Sequence, residues 1–213
     1  MKTDELISML ATQIEAVDSR RLRRRQRVIL AGGGLASFVI CAALLKINPA
    51  LSDFLTEPMF WVRESFCVTL GVTGIVAVTR LGYPGRKMGL LPVGFLVPVL
   101  VLWSLAAVAL WSVPPPERIA LILGRTARAC PFLIALLAAP PLIAFIGILR
   151  SLAPINLRAA GAAAGFAAGS LGAVAYTLHC PELAAPFISV WYLIGILLST
   201  ALGALIGPRL LRW

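Results

Sequence analysis

A single histidine, His179, stands among 213 residues, and only nine carboxylates accompany it. Active sites and metal centres draw heavily on those residue types, so their scarcity restricts the chemistry available. The chain has no G-x-x-x-x-G-K-[ST] phosphate loop, no H-E-x-x-H, no C-x-x-C and no nucleophile beside a base. No enzyme activity, cofactor or metal centre is therefore expected. Charge is scarce as well: Asp, Glu, Lys and Arg supply 13% of residues against 60% hydrophobic ones, and the mean hydropathy is +0.93. These values exclude an ordinary soluble domain and predict an integral membrane protein. The first apolar run starts at Val28 and ends at Lys46-Ile47-Asn48-Pro49 without a small-x-small site, so a removable signal peptide is not expected.

What remains is a set of six apolar segments, at about 28–46, 60–79, 90–112, 130–149, 159–178 and 187–206. Each is near the ~20 residues that cross a hydrocarbon layer of ~30 Å. The expected fold class is all-α: a polytopic membrane protein with six transmembrane helices and a short N-terminal cytoplasmic amphipathic helix. Residues 1–27 form the cytoplasmic segment and 28–213 the membrane domain.

The chain holds 19 Lys and Arg, placed between the apolar segments as topology determinants are, not as a nucleic-acid surface. With the N-terminus inside, the inner regions contain Lys2, Arg20, Arg21, Arg23, Arg24, Arg25, Arg27, Arg80, Arg86, Lys87, Arg150, Arg158, Arg209 and Arg212. Only Lys46, Arg63, Arg118, Arg125 and Arg128 remain outside. Both termini are accordingly expected in the cytoplasm, with the lipid bilayer as the first partner.

The N-terminal segment reads as an amphipathic helix. Thr3 caps it, Asp4 and Glu5 suit its first turn, and Leu6, Leu10, Ile14 and Val17 form an apolar stripe. Such a helix is marginal alone and needs a partner: a cytosolic protein, the membrane surface or a second copy. The six arginines that follow anchor the first span against anionic headgroups.

Within the spans, Pro92, Pro98, Pro140 and Pro141 predict bends whose freed carbonyls need outside donors. Gly161, Gly165, Gly169 and Gly172 make the fifth span a close-packing helix, for a neighbour in the same chain or for a homodimer, and Gly203 and Gly207 repeat the device in the sixth. Arg63 and Glu64 read as a pair at the outer interface, and Glu117 to Arg128 as a short amphipathic element on the outer face. The middle of every span lacks ionisable residues, which argues against a proton-coupled transporter, a channel or an intramembrane protease.

The cysteines carry the remaining chemistry. Cys130-Pro131 opens the fourth span, and His179-Cys180-Pro181-Glu182 lies between the fifth and sixth, so both thiols fall at the outer face. A proline after each restrains the preceding residue, placing the thiols on ordered turns at helix starts, where a helix N-terminus favours the thiolate. His179 beside Cys180 adds a possible donor or fellow ligand, favouring reaction with oxidants or soft metal ions. The bland alternative is a static disulfide or two unreactive thiols. Cys41 and Cys67 read as apolar packing.

These pieces together resemble the NrsF-type negative regulators of extracytoplasmic function sigma factors, a family of six-span anti-sigma factors of the bacterial inner membrane. The resemblance rests on Met1-Lys-Thr-Asp-Glu-Leu-Ile, on His179-Cys180-Pro181-Glu182 leading to Ala185-Pro186-Phe187 and Trp191-Tyr192, and on Gly203-Ala-Leu-Ile-Gly-Pro208-Arg209. It implies that the N-terminal segment, through Leu6, Leu10, Ile14 and Val17, holds an extracytoplasmic function sigma factor away from RNA polymerase. It implies also that an event outside releases that factor, and the residues themselves point to Cys130, Cys180 and His179 as its sensors. A small membrane thiol-disulfide oxidoreductase is the alternative, weakened by the missing vicinal cysteine pair.

Overall fold

Each of the six apolar segments coincides with one long helix. The computed structural model describes residues 19–83, 85, 89–152 and 154–212, among which no strand occurs. The stripe of Leu6, Leu10, Ile14 and Val17 lies outside them. Helix α1 (Ser19–Ile40) continues through a π-helical segment, Cys41–Leu45, and a short α2 (Leu51–Phe54) leads into α3 (Pro58–Leu81). Then come α4 (Leu91–Trp111), the surface helix α5 (Pro115–Leu123), α6 (Cys130–Leu149) and α7 (Leu157–Tyr176). The last long helix is α8 (Ala185–Phe187), a second π-helical segment Ile188–Tyr192, and α9 (Leu193–Leu210). Six of these stretches are long and apolar enough to cross a membrane. Their outward faces carry Leu35, Val39, Val97, Leu100, Val101 and Val108, all exposed, as lipid-facing positions are.

Helix α7 is the centre of the bundle, and α9, α6 and α3 pack around it. Its residues explain why: an almost unbroken run of Gly and Ala removes the side chains that would hold neighbours away. Asn156 starts it, accepting a hydrogen bond from the Ala159 amide at 3.0 Å. A methyl group added at Gly161 or Gly165 would collide with the Gly203 or Ser199 carbonyl of α9, and one at Gly172 would lie 2.7 Å from the Ala138 nitrogen of α6. Gly161, Gly165 and Gly169 are thus buried against α9, so of the two partners left open by the sequence, a helix of the same chain or a second copy, this face takes the first.

The prolines leave carbonyls that neighbouring helices satisfy. Pro141 supplies no amide to the Leu137 carbonyl, and the Ser37 hydroxyl of α1 donates to it instead at 2.7 Å. Pro98 likewise frees the Gly94 carbonyl, which accepts from Thr73 Oγ1 of α3 at 3.2 Å. Helix α6 remains helical through both Pro140 and Pro141.

The buried residues divide into two clusters along the bundle. One holds Val78, Ala138, Phe145, Leu149, Ala160, Ala164, Ala167 and Leu211, and is dominated by small side chains. The other gathers all four cysteines with Phe66, Leu70, Ile134, Tyr176, Phe187 and Tyr192.

Candidate functional site

The cysteine end is built around Arg63, one turn into α3. It lies on the face of α3 that turns inward and is completely buried, so the expectation of an outer-interface pair with Glu64 is corrected. Its charge is met by carbonyl dipoles. Nη1 donates to the Glu182 carbonyl at 2.8 Å and to the Cys180 carbonyl at 3.2 Å, and Nη2 donates to the Thr177 carbonyl at 3.0 Å. The guanidinium also stands over the rings of Phe60, at 5.2 Å, and Tyr192, at 6.0 Å. Only a planar fork can reach three carbonyls of one turn, so a lysine would not substitute. Glu64, beside it, interacts with the Thr177 side chain and with the Arg63 charge.

Those three carbonyls belong to the turn that carries Cys180. Helix α7 ends at Tyr176; the Cys180 amide folds back onto the Tyr176 carbonyl at 3.0 Å, and no helix begins again until Ala185. Cys180 is therefore not at a helix start as Cys130 is, which removes the helix-dipole argument for its reactivity. Cys130 is the first residue of α6 and Pro131 the second, as the Cys-Pro order predicts.

All four cysteines are free thiols, and all are wholly buried. Cys67, Cys130 and Cys180 are neutral thiols of one buried cluster, which the Arg63 guanidinium borders. The Tyr176 hydroxyl faces Cys130 and Cys180, without a hydrogen bond of good geometry, and the Tyr192 hydroxyl is also unpartnered. The two tyrosine rings stand 5.7 Å apart. Cys41 packs in the same core and donates its Sγ–H to the Ala175 carbonyl at 3.1 Å.

The structure brings Cys130 and Cys180 into one core, and places His179 otherwise than expected. Its ring does not share a ligand position with Cys180; Nδ1 lies 3.0 Å from the Lys46 carbonyl, beyond the end of α1, and the ring centroid is 5.8 Å from that of Tyr176. Among the described residues no group of three or more His, Cys, Asp or Glu side chains is arranged to hold a metal ion.

Helix α5 is fastened beside the cysteine end of the bundle. Glu182 Oε1 accepts the Arg125 amide at 2.7 Å, next to Gly124, whose φ of 50° makes the turn after α5. Trp191 Nε1 donates to the Ile122 carbonyl at 2.8 Å. Helix α5 and its turn are thereby tied to the Cys180 turn by Glu182 and to the second π-helical segment by Trp191. Sequence reasoning missed Arg63 as the organiser; the available signal was a lone arginine inside an apolar segment.

Residues 10–213 match the profile of a family described as "Negative regulator of sigma F" (NrsF). The chain is 42% identical over 213 residues to the probable anti-sigma-F factor NrsF of Azospira oryzae, covering 100% of both chains. It is 32% identical over 217 residues to the anti-sigma-F factor NrsF of Caulobacter vibrioides, again covering 100% of both. No solved structure matches it.

Proposed function

The chain belongs to the NrsF family of negative regulators of sigma F, and from that premise we propose a six-span inner-membrane anti-sigma factor that releases its sigma factor when the buried thiols react. Both termini lie in the cytoplasm, held there by the excess of arginine and lysine on that side. The segment 1–27 restrains a sigma factor of the extracytoplasmic function class through Leu6, Leu10, Ile14 and Val17. Cys130 and Cys180 sense an oxidant or a thiol-binding metal ion at the periplasmic end.

The observation that carries this reading is the gathering of Cys130 and Cys180 in one core under the Arg63 turn. Two cysteines fifty residues apart in an apolar chain are drawn together beside unpartnered tyrosine hydroxyls, in packing that a modified or cross-linked thiol would disturb. Reaction there favours whichever conformation accommodates the altered sulfur, and the sigma factor is released to the extent that this conformation binds it less well. Because the thiols are buried, the signal is a small species or one that enters as the bundle opens. The oxidoreductase alternative fits less well, since a thiol with no exposed surface offers nothing for a partner protein to exchange with.

Two experiments test the proposal. Membranes carrying the chain should co-purify a sigma factor, and Leu10→Asp with Ile14→Asp should abolish that capture; undiminished capture refutes the helix assignment. Cys130→Ser with Cys180→Ser should retain the sigma factor while losing induction by diamide. Full induction in that variant refutes the sensing assignment.

A further inference from the structure

The turn that carries Cys180 is fastened to the far end of α1, the helix that follows residues 1–18 directly in sequence. A carbonyl only accepts, so His179 Nδ1 carries the proton of its bond to Lys46. Beside it the Asn48 amide donates to the Leu178 carbonyl at 2.9 Å, and one turn back the Cys41 thiol grips the Ala175 carbonyl. Arg63 holds the carbonyls of Thr177, Cys180 and Glu182 from the other side, so residues 177–182 are clasped between α1 and α3.

Lys46 is the strained point of this junction. Its φ of 66° and ψ of 148° lie in a region that glycine alone adopts easily, and no other non-glycine residue among those described has a positive φ. It follows directly on the π-helical segment Cys41–Leu45. A lysine stays in that conformation only while surrounding bonds impose it, and the His179 and Asn48 bonds flank it. Of the six long helices, the one containing α1 is the least buried, and its hold on the bundle runs chiefly through Gly33 and Ser37 against α6.

We propose that His179 is a positioning residue that couples the thiol site to α1. Its bond to the Lys46 carbonyl holds α1 in the sigma-retaining position against the backbone strain at Lys46, and displacement of the Cys180 turn frees α1 to relax. This rests on the anti-sigma and thiol-sensing reading above, which the double-serine variant tests separately.

The test uses the full chain in cells with a reporter for the restrained sigma factor, and immunoblots of the membrane fraction. His179→Asp matches the shape of His179→Asn but cannot donate, so it and His179→Ala should raise basal reporter activity roughly five-fold, as loss of one hydrogen bond implies. His179→Asn keeps a donor where Nδ1 stood and should stay at the wild-type basal level. Lys46→Gly keeps the carbonyl but removes the strain, so it should leave the basal level low and cut induction by diamide. Wild-type basal activity in His179→Asp with the chain present in membranes overturns the proposal. Where that variant is missing from membranes, Lys46→Gly decides, and undiminished induction overturns it. A failed sensing reading would instead show as induction persisting in the double-serine variant, while the basal comparison needs no inducer.

Discussion

Arg63 illustrates how much one residue organises at this end of the molecule. Removing its guanidinium would leave the Thr177, Cys180 and Glu182 carbonyls without their donor in a buried site. Arg63→Leu should therefore destabilise the detergent-solubilised chain by on the order of 3 kcal/mol, seen as a lowered Tm, and should speed alkylation of Cys180 by N-ethylmaleimide. Arg63→Lys should recover only part of both, because an ammonium cannot present the parallel Nη1 and Nη2 donors. Equal alkylation rates in wild type and Arg63→Leu would show that the turn does not depend on it. The residue's presence near the start of an apolar segment was legible in the sequence, but its direction was not. An interfacial arginine and an inward one differ by the rotation of α3, and α3 has too weak an amphipathic pattern to reveal that rotation. His179 presents the converse case: adjacency to Cys180 pointed to shared chemistry, whereas its contact is with a backbone atom 133 positions away.

At the level of elements, the sequence was most informative where a residue type has a single physical consequence. Six helices, the helix start at Cys130-Pro131 and the small-residue face of α7 follow from hydrophobic length, the missing proline amide and the missing side chain. The partner of that face did not follow, because a stripe of glycines fits any smooth helix; α9 of the same chain occupies it. The energetic consequence is sharp. Gly165→Ala should cost about 1–3 kcal/mol or more through the forced separation of α7 and α9, while Gly147→Ala, which meets no atom within 4 Å, should be neutral or slightly stabilising. The proline contacts permit a cleaner measurement. Ser37→Ala should cost about 1 kcal/mol in the wild-type chain and almost nothing in the Pro141→Ala background, where a restored amide donates to the Leu137 carbonyl within α6. A double-mutant cycle in detergent would report that coupling, and additive effects would show that the Ser37 hydroxyl does not stand in for the missing proline amide.

Across the whole molecule, the two buried clusters differ in kind, and this difference sets which end can move. One cluster joins the alanines of α7 to Val78 of α3 and to Ala138 and Phe145 of α6, and the glycine face of α7 lies with its backbone directly against α9, so displacement there separates many atoms at once. The cysteine cluster is built from large side chains, contains unpartnered hydroxyls on Tyr176 and Tyr192, and is bordered by both π-helical segments. Such segments disturb the regular hydrogen-bond ladder and recur at functional sites. Under the proposed coupling through His179, rigidity at one end with adjustable packing at the other would let a change at Cys130 and Cys180 travel along α1 instead of dissipating through the bundle. Hydrogen exchange in micelles should accordingly find the slowest amides within 161–170 and 196–203. Modification of the thiols with N-ethylmaleimide should then accelerate exchange at 41–50 and 176–184 while leaving 161–170 unchanged. Equal acceleration in all three regions would mean that the bundle loosens as a whole, and that α1 is no separate path from the thiols to the N-terminal segment.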